Sequence, residues 1–248
     1  MSGDRRIVGV AAGGSYATDS MDAFSDLDLV IAVETRDYSM VMADRSGIAA
    51  SLGHLLAAFT GEHVGEPRLL ICLFGPPLLH VDLKFVDLEG VSSRVEDPVV
   101  LWQRDGRLTE AMSRSRAVYP PADEKWIEDR FWVWVHYAVA KLERGEIFEA
   151  HDFLSFLRSA ALGPLGLTRA GARANGVRKI ESVAPAFATR LGETVARYDA
   201  VDCLRALRCC VDIYRSIRAP EVQLDPPSEV EAATLEYLRQ AEAQLGLN

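Results

Sequence analysis

The feature that most limits the architecture is a change of hydrophobic period at Tyr119-Pro120-Pro121. Before it, five short apolar runs (7–12, 26–33, 68–74, 79–86 and 99–103) are separated by turn residues such as Gly13-Gly14-Ser15 and Gly75-Pro76-Pro77, the pattern of strands in a largely buried sheet. Between the second and third runs, Ser39 predicts the cap of a helix through about Thr60 that Gly61 stops, and Asp105-Gly106 predicts a hairpin after the last run. Beyond the prolines, Asp123 predicts the N-cap of a helix through Leu142 that is apolar on nearly all sides, as in the centre of a bundle. Further helices are expected at 146–162, 186–218 and 229–245, the last opened by Pro226-Pro227-Ser228 and Glu231 as a capping box. The expectation is an α/β domain over 1–110 and an all-α domain over 120–248.

Charge narrows the partners. The formal net charge is −9, and the first 100 residues hold 15 Asp and Glu against 7 Lys and Arg. So acidic a chain lacks the basic surface that phosphate-backbone binding needs, which excludes a general nucleic-acid binder. Gathered acids serve solubility or hold cations. Cys72, Cys203, Cys209 and Cys210 have neither disulfide-framework nor zinc spacing, and read as free thiols of a cytoplasmic protein. The most apolar stretch, 131–140, is too short to span a bilayer, and no signal-peptide pattern opens the chain.

Three features of the first domain carry chemistry. Gly13-Gly14-Ser15 ends a strand, where glycine backbone N–H groups and a serine hydroxyl can turn toward an anion. Asp26-Leu27-Asp28 places two carboxylates on one face of a strand; side by side they repel, and a divalent cation removes that cost. Asp82 lies inside the apolar strand 81–86 with Lys84 on its face. Packed beside the Asp26 strand, Asp82 brings a third acid to the same spot, a set that fits two Mg²⁺ ions on a triphosphate. Each feature alone has an ordinary structural reading: a turn, a solvated loop, the wet face of an edge strand.

Together, Gly14-Ser15, Asp26-Leu27-Asp28-Leu29 and the later strand acid Asp82 resemble the signature of the DNA polymerase β-like nucleotidyltransferase superfamily. The segment from Asp22 to Asp28 resembles the form found in aminoglycoside 6-adenylyltransferases, and Phe131-Trp132, Tyr137, Lys141-Leu142 and Arg144-Gly145-Glu146-Ile147 resemble their helical domain more loosely. The N-terminal likeness covers residues 7–110. One departure is Tyr16-Ala17-Thr18, where many members carry an arginine.

The resemblance implies a nucleotidyltransferase fold, a mixed five-stranded sheet flanked by helices, followed by a helical substrate domain. It implies transfer of AMP from ATP to a hydroxyl of a small, neutral or cationic, aminoglycoside-like acceptor. Asp26, Asp28 and Asp82 would hold Mg²⁺, with Asp82 as ligand or as base. Gly14 and Ser15 would hold phosphates, and Lys84 would reach a phosphate or pair with Asp82. The helical domain would close the acceptor side. Its acids Glu143, Glu146, Glu149 and Asp152 read as a cation-binding or a solvated face. Arg169, Arg173, Arg178 and Lys179 read as a triphosphate contact or a surface loop. The five histidines lack ligand spacing, and Trp126, Trp132 and Trp134 read as bundle core. Two other classes stay open: a protein-directed AMP transferase or antitoxin-like protein, and a catalytically silent nucleotide-binding protein on the same fold.

Overall fold

The computed structural model describes residues 1–219 and 228–245; Pro226-Pro227 of the expected capping signal lie outside them. The chain divides into two compact units, Met1–Tyr119 and Pro120–Asn248.

The first unit is built on strands β1 (Ile7–Ala12), β2 (Leu27–Val33), β3 (Leu55–Gly61), β4 (Glu66–Phe74), β5 (Leu79–Asp87) and β6 (Val99–Gln103). They form one mixed sheet of order β3-β4-β5-β2-β1-β6, in which β2 and β5 run parallel and the other neighbours antiparallel. Helices α1 (Gly14–Ala17), α2 (Tyr38–Ala50) and α3 (Arg107–Ser113) complete the unit. Side chains alternate across the strands. Ile31, Val33, Leu70, Leu83 and Phe85 form a buried cluster with Val41 and Ile48 of α2. Val8, Ala32 and Val86 form another with Leu108 of α3.

The mixed sheet is as expected, but it has six strands rather than five. The extra strand, β3, comes from residues expected to be the second half of a helix. That helix ends at Ala50, just before Ser51-Leu52-Gly53. Leu55-Leu56-Ala57-Ala58 are good helix formers, yet they pair with β4, with Ala58 opposite Cys72 and Phe59 opposite Ile71. Tertiary pairing overrides local propensity here, and a helix continued through Gly53 would cost about 1 kcal/mol at that residue. Ser39 lies inside the helix, and Asp37 precedes it. Asp105 and Gly106 do adopt the positive φ of a hairpin turn, 50° and 74°. The chain instead enters α3, because Leu108 and Ala111 bury and the Gln103 side chain accepts from the Thr109 N–H at 2.8 Å.

The second unit is helical: α4 (Glu124–Glu143), α5 (Ile147–Leu157), a π-helical turn (Arg158–Leu162), α6 (Gly163–Arg169), α7 (Ile180–Val183), α8 (Pro185–Gly192), α9 (Ala200–Ile217) and α10 (Glu229–Gln244). Asp123 caps α4 as expected, accepting from the Trp126 N–H at 2.8 Å. The helix expected over 186–218 is two helices. Gly192 ends α8, and Asp199 caps α9 by accepting from the Asp202 N–H. Trp132 is fully buried, with Phe131 stacked on Tyr214. Trp126 corrects the core expectation: it is 40% exposed. Beneath them lies a buried ionic network in which Arg218 pairs with Glu231 at 2.9 Å. Tyr214 donates to Glu128, and its burial, aided by that carboxylate, pushes its phenol well above the ordinary range. The four cysteines are free; burial holds the Cys210 thiol up at about 12 and the Cys72 thiol at about 11. No helix among the described residues is long and apolar enough to cross a membrane.

Candidate functional site

The parallel pairing of β2 with β5 places the sequence-predicted acids. Its register sets Asp28 opposite Asp82. Neighbouring strands lie about 4.8 Å apart, so the two carboxylates start from adjacent positions on one face. One residue earlier Leu27 sits opposite Val81; Asp26 lies just before β2, and His80 just before Val81 in β5. Two carboxylates and one imidazole, those of Asp26, Asp82 and His80, meet at the start of both strands. One ligand atom each from Asp26, His80 and Asp82 lie within 4.8 Å of one another, and His80 Nε2 is 2.9 Å from Asp82 Oδ1. Asp26 and Asp82 are partly buried and His80 is exposed.

Asp28 stands outside that group. Its carboxylate is turned toward the glycine turn after β1. Gly14 has φ +56, and a Cβ there would overlap Asp28 Oδ2 and stand 2.9 Å from its Cγ. Glycine is therefore required twice, for the backbone angle and for the approach of the carboxylate. The Gly13 N–H is spent on the Asp28 carbonyl at 2.8 Å. Among the described residues, the Ser15 hydroxyl oxygen is buried and has no hydrogen-bond partner. A buried donor without a partner is costly and uncommon.

Glu96 was not among the expected site residues. Its Oε1 accepts from the Gly14 N–H at 2.8 Å, so a carboxylate sits where the glycine turn offers a donor. Acid in an irregular loop carries no periodic signal, and nothing in the sequence points to it. His80 does leave a signal: it is two residues from Asp82 in a strand, which puts both on one face.

Lys84 does not pair with Asp82. Its Nζ is 2.8 Å from Glu66 Oε2, which Arg68 also holds at 2.6 Å. Arg68 foremost, then Lys84, hold the Glu66 carboxyl at about 2. Lys84 still lines the cavity over this face, about 240 Å³, with Asp28, Asp82, Glu66, Arg94 and Glu96.

In the second unit the acids singled out in the sequence are largely engaged at home. Glu146 and Glu149 both pair with Lys141, and Glu143 accepts from Tyr237. Arg169 pairs with Glu124 at 2.7 Å and donates to the Ile217 carbonyl.

The chain was compared with known proteins. No protein-family model matches it, and no curated protein matches it. Among solved structures it is similar to an aminoglycoside 6-adenyltransferase from Bacillus subtilis, at 15% identity over 96% of this chain and 92% of that one, with a TM-score of 0.42. It is also similar to a nucleotidyltransferase-like protein from Exiguobacterium sibiricum, at 12% identity over 87% and 71% of the two chains, with a TM-score of 0.36.

Proposed function

We propose that this protein is a nucleotidyltransferase that moves AMP from ATP to a hydroxyl of a small, neutral or cationic acceptor such as an aminoglycoside-like molecule. The observation that carries the reading is the Asp28–Asp82 pairing beside Asp26, with a glycine turn and the partnerless Ser15 hydroxyl at its edge. Converging carboxylates, a cradle that only glycine fits and a donor in reserve are what a divalent cation and a phosphate chain require.

In this reading Asp26, Asp28 and Asp82 hold the divalent ions, Mg²⁺ in the simplest case. When bound, these ions supply positive charge against the phosphate oxygens and the leaving pyrophosphate. The chain's own residues do the rest. Ser15 Oγ donates to a phosphate oxygen. The Gly14 N–H offers a second donor once Glu96 withdraws. Lys84, fixed by Glu66, adds positive charge at the cavity wall. The acceptor oxygen bonds to the α-phosphorus as the bond from that phosphorus to the β-phosphate's bridging oxygen breaks, and pyrophosphate leaves. Where Asp82 serves as base rather than as ligand, the acceptor's proton passes to its Oδ2, since Oδ1 faces His80. Positioning and fixed charge account for most of the rate in such a transfer.

The test is a screen of hydroxylated small molecules, aminoglycosides included, for acceptor-dependent pyrophosphate release from ATP. Asp28→Asn and Asp82→Asn are run beside the wild type. The reading expects release with at least one acceptor, lost in both variants while they stay folded. Release that persists in both variants refutes it. One observation favours a second reading, the silent nucleotide-binding protein: the Glu96 carboxylate already occupies the Gly14 donor. ATP binding with no release across the whole screen would select that reading.

A further inference from the structure

The carboxylates of β2 and β5 taken alone make an all-oxygen set, and an all-oxygen set suits Mg²⁺. The structure adds a nitrogen. His80 shares its strand face with Asp82, Asp26 lies just before β2, and one donor atom from each of the three converges within 4.8 Å. Two further facts bear on what this cluster takes. Among the described residues, no lysine or arginine forms an ion pair with Asp26 or Asp82, so two carboxylates meet with only an imidazole between them. The strand's own cation, Lys84, is drawn off to Glu66. The imidazole is half exposed, with 50% of its side-chain surface accessible, so it is not held there by packing.

We propose that His80 is a metal ligand together with Asp26 and Asp82, and that this nitrogen donor shifts the site's preference from Mg²⁺ toward a first-row transition ion of the Mn²⁺ class. Imidazole binds such ions more strongly than it binds Mg²⁺, which prefers oxygen and gives up its water reluctantly. A site of two carboxylates and one histidine accepts both kinds of ion and ranks them by the nitrogen. The competing role for His80 is a hydrogen bond that orients Asp82 from outside the coordination sphere. The proposal rests on reading Asp26 and Asp82 as metal-holding groups, and it makes no use of nucleotide transfer.

The experiment uses the full chain and Mn²⁺ alone, without nucleotide. Mn²⁺ affinity is read by electron paramagnetic resonance titration, and nitrogen coordination by the ¹⁴N modulation of the Mn²⁺ spin echo. Competition with Mg²⁺ gives the ratio of the two affinities. The expected result is ¹⁴N coupling in the wild type that disappears in His80→Gln, with Mn²⁺ affinity falling at least about 10-fold and Mg²⁺ affinity changing far less. His80→Asn serves as a second variant, and the thermal melt of each variant confirms that it is folded. Bound Mn²⁺ without ¹⁴N coupling would overturn the proposal and leave His80 as a positioning residue. Equal losses for both ions, or no Mn²⁺ binding at all, would also overturn it. ¹⁴N coupling in a protein that never releases pyrophosphate would sink the transferase reading and leave this one standing. Pyrophosphate release with Mg²⁺ and no ¹⁴N coupling would do the reverse.

Discussion

Replacing Gly14 by alanine separates a backbone requirement from a steric one, because the fold contains its own control. Gly106 also has positive φ, 74°, but a Cβ there would meet nothing within 4 Å. Gly106→Ala therefore shows the cost of the left-handed backbone alone, about 1–2 kcal/mol. Gly14→Ala carries the same cost, since its φ is +56, and adds a collision with the Asp28 carboxylate. Relieving it means turning Asp28 out of its rotamer, about 0.5–1.5 kcal/mol more. The total is about 1.5–3.5 kcal/mol, and at about 4 °C per kcal/mol the melt falls by about 6–14 °C. Thermal and urea denaturation of both variants give the comparison. Under the proposed transfer function the two separate further: displacing Asp28 by about 1 Å costs on the order of 100-fold in rate, whereas Gly106→Ala keeps full rate. A Gly14→Ala protein as stable as Gly106→Ala, and equally active, would refute the claim that Gly14 exists to let Asp28 approach.

Other outcomes rest on single contacts. Arg68 and Lys84 hold Glu66 at about 2, below its ordinary 4.5. Its contribution is thus complete above about pH 4.5 and is lost as pH falls toward 2; urea midpoints of wild type and Glu66→Gln converge over that window, and a constant gap would contradict it. Glu96→Gln removes a negative charge beside the proposed phosphate site while keeping an acceptor for the Gly14 N–H. ATP binding measured by calorimetry is expected to tighten, and weaker binding would show that Glu96 helps hold the ligand. In the second unit, a Cβ on Gly166 would stand 2.5 Å from two Phe187 ring atoms. Gly166→Ala is expected to cost about 1–3 kcal/mol by overpacking, read by chemical denaturation, and an unchanged midpoint would refute close packing of α6 on α8.

Legibility from sequence tracks burial. The strands β1, β2, β4, β5 and β6 are visible because apolar runs bounded by turns have few other readings. β3 is not, because Leu55-Leu56-Ala57-Ala58 favours a helix in isolation and becomes a strand only through β4. The Asp105-Gly106 pair signals positive φ, as found, but the helix after it is decided by the burial of Leu108. At the site, Asp28 and Asp82 are legible because alternation fixes which face a strand residue uses. Their partners are not. His80 has the right spacing from Asp82, but a single histidine reads more readily as a surface residue than as a ligand. Glu96 and Glu66 are brought in by loop geometry and β4 pairing, which no short-range pattern encodes. The swap of Lys84 from Asp82 to Glu66 depends on the neighbouring strand.

The central claim is that the start of β2 and β5 is built to hold a divalent ion and a nucleotide's phosphates. Isothermal calorimetry of ATP binding tests it most directly, with a divalent ion present and then with chelator, for wild type, Asp28→Asn and Asp82→Asn. The account predicts a binding heat in the wild type that the chelator removes and that both variants lack. Equal heats under all these conditions, or none in the wild type with the ion present, would contradict it.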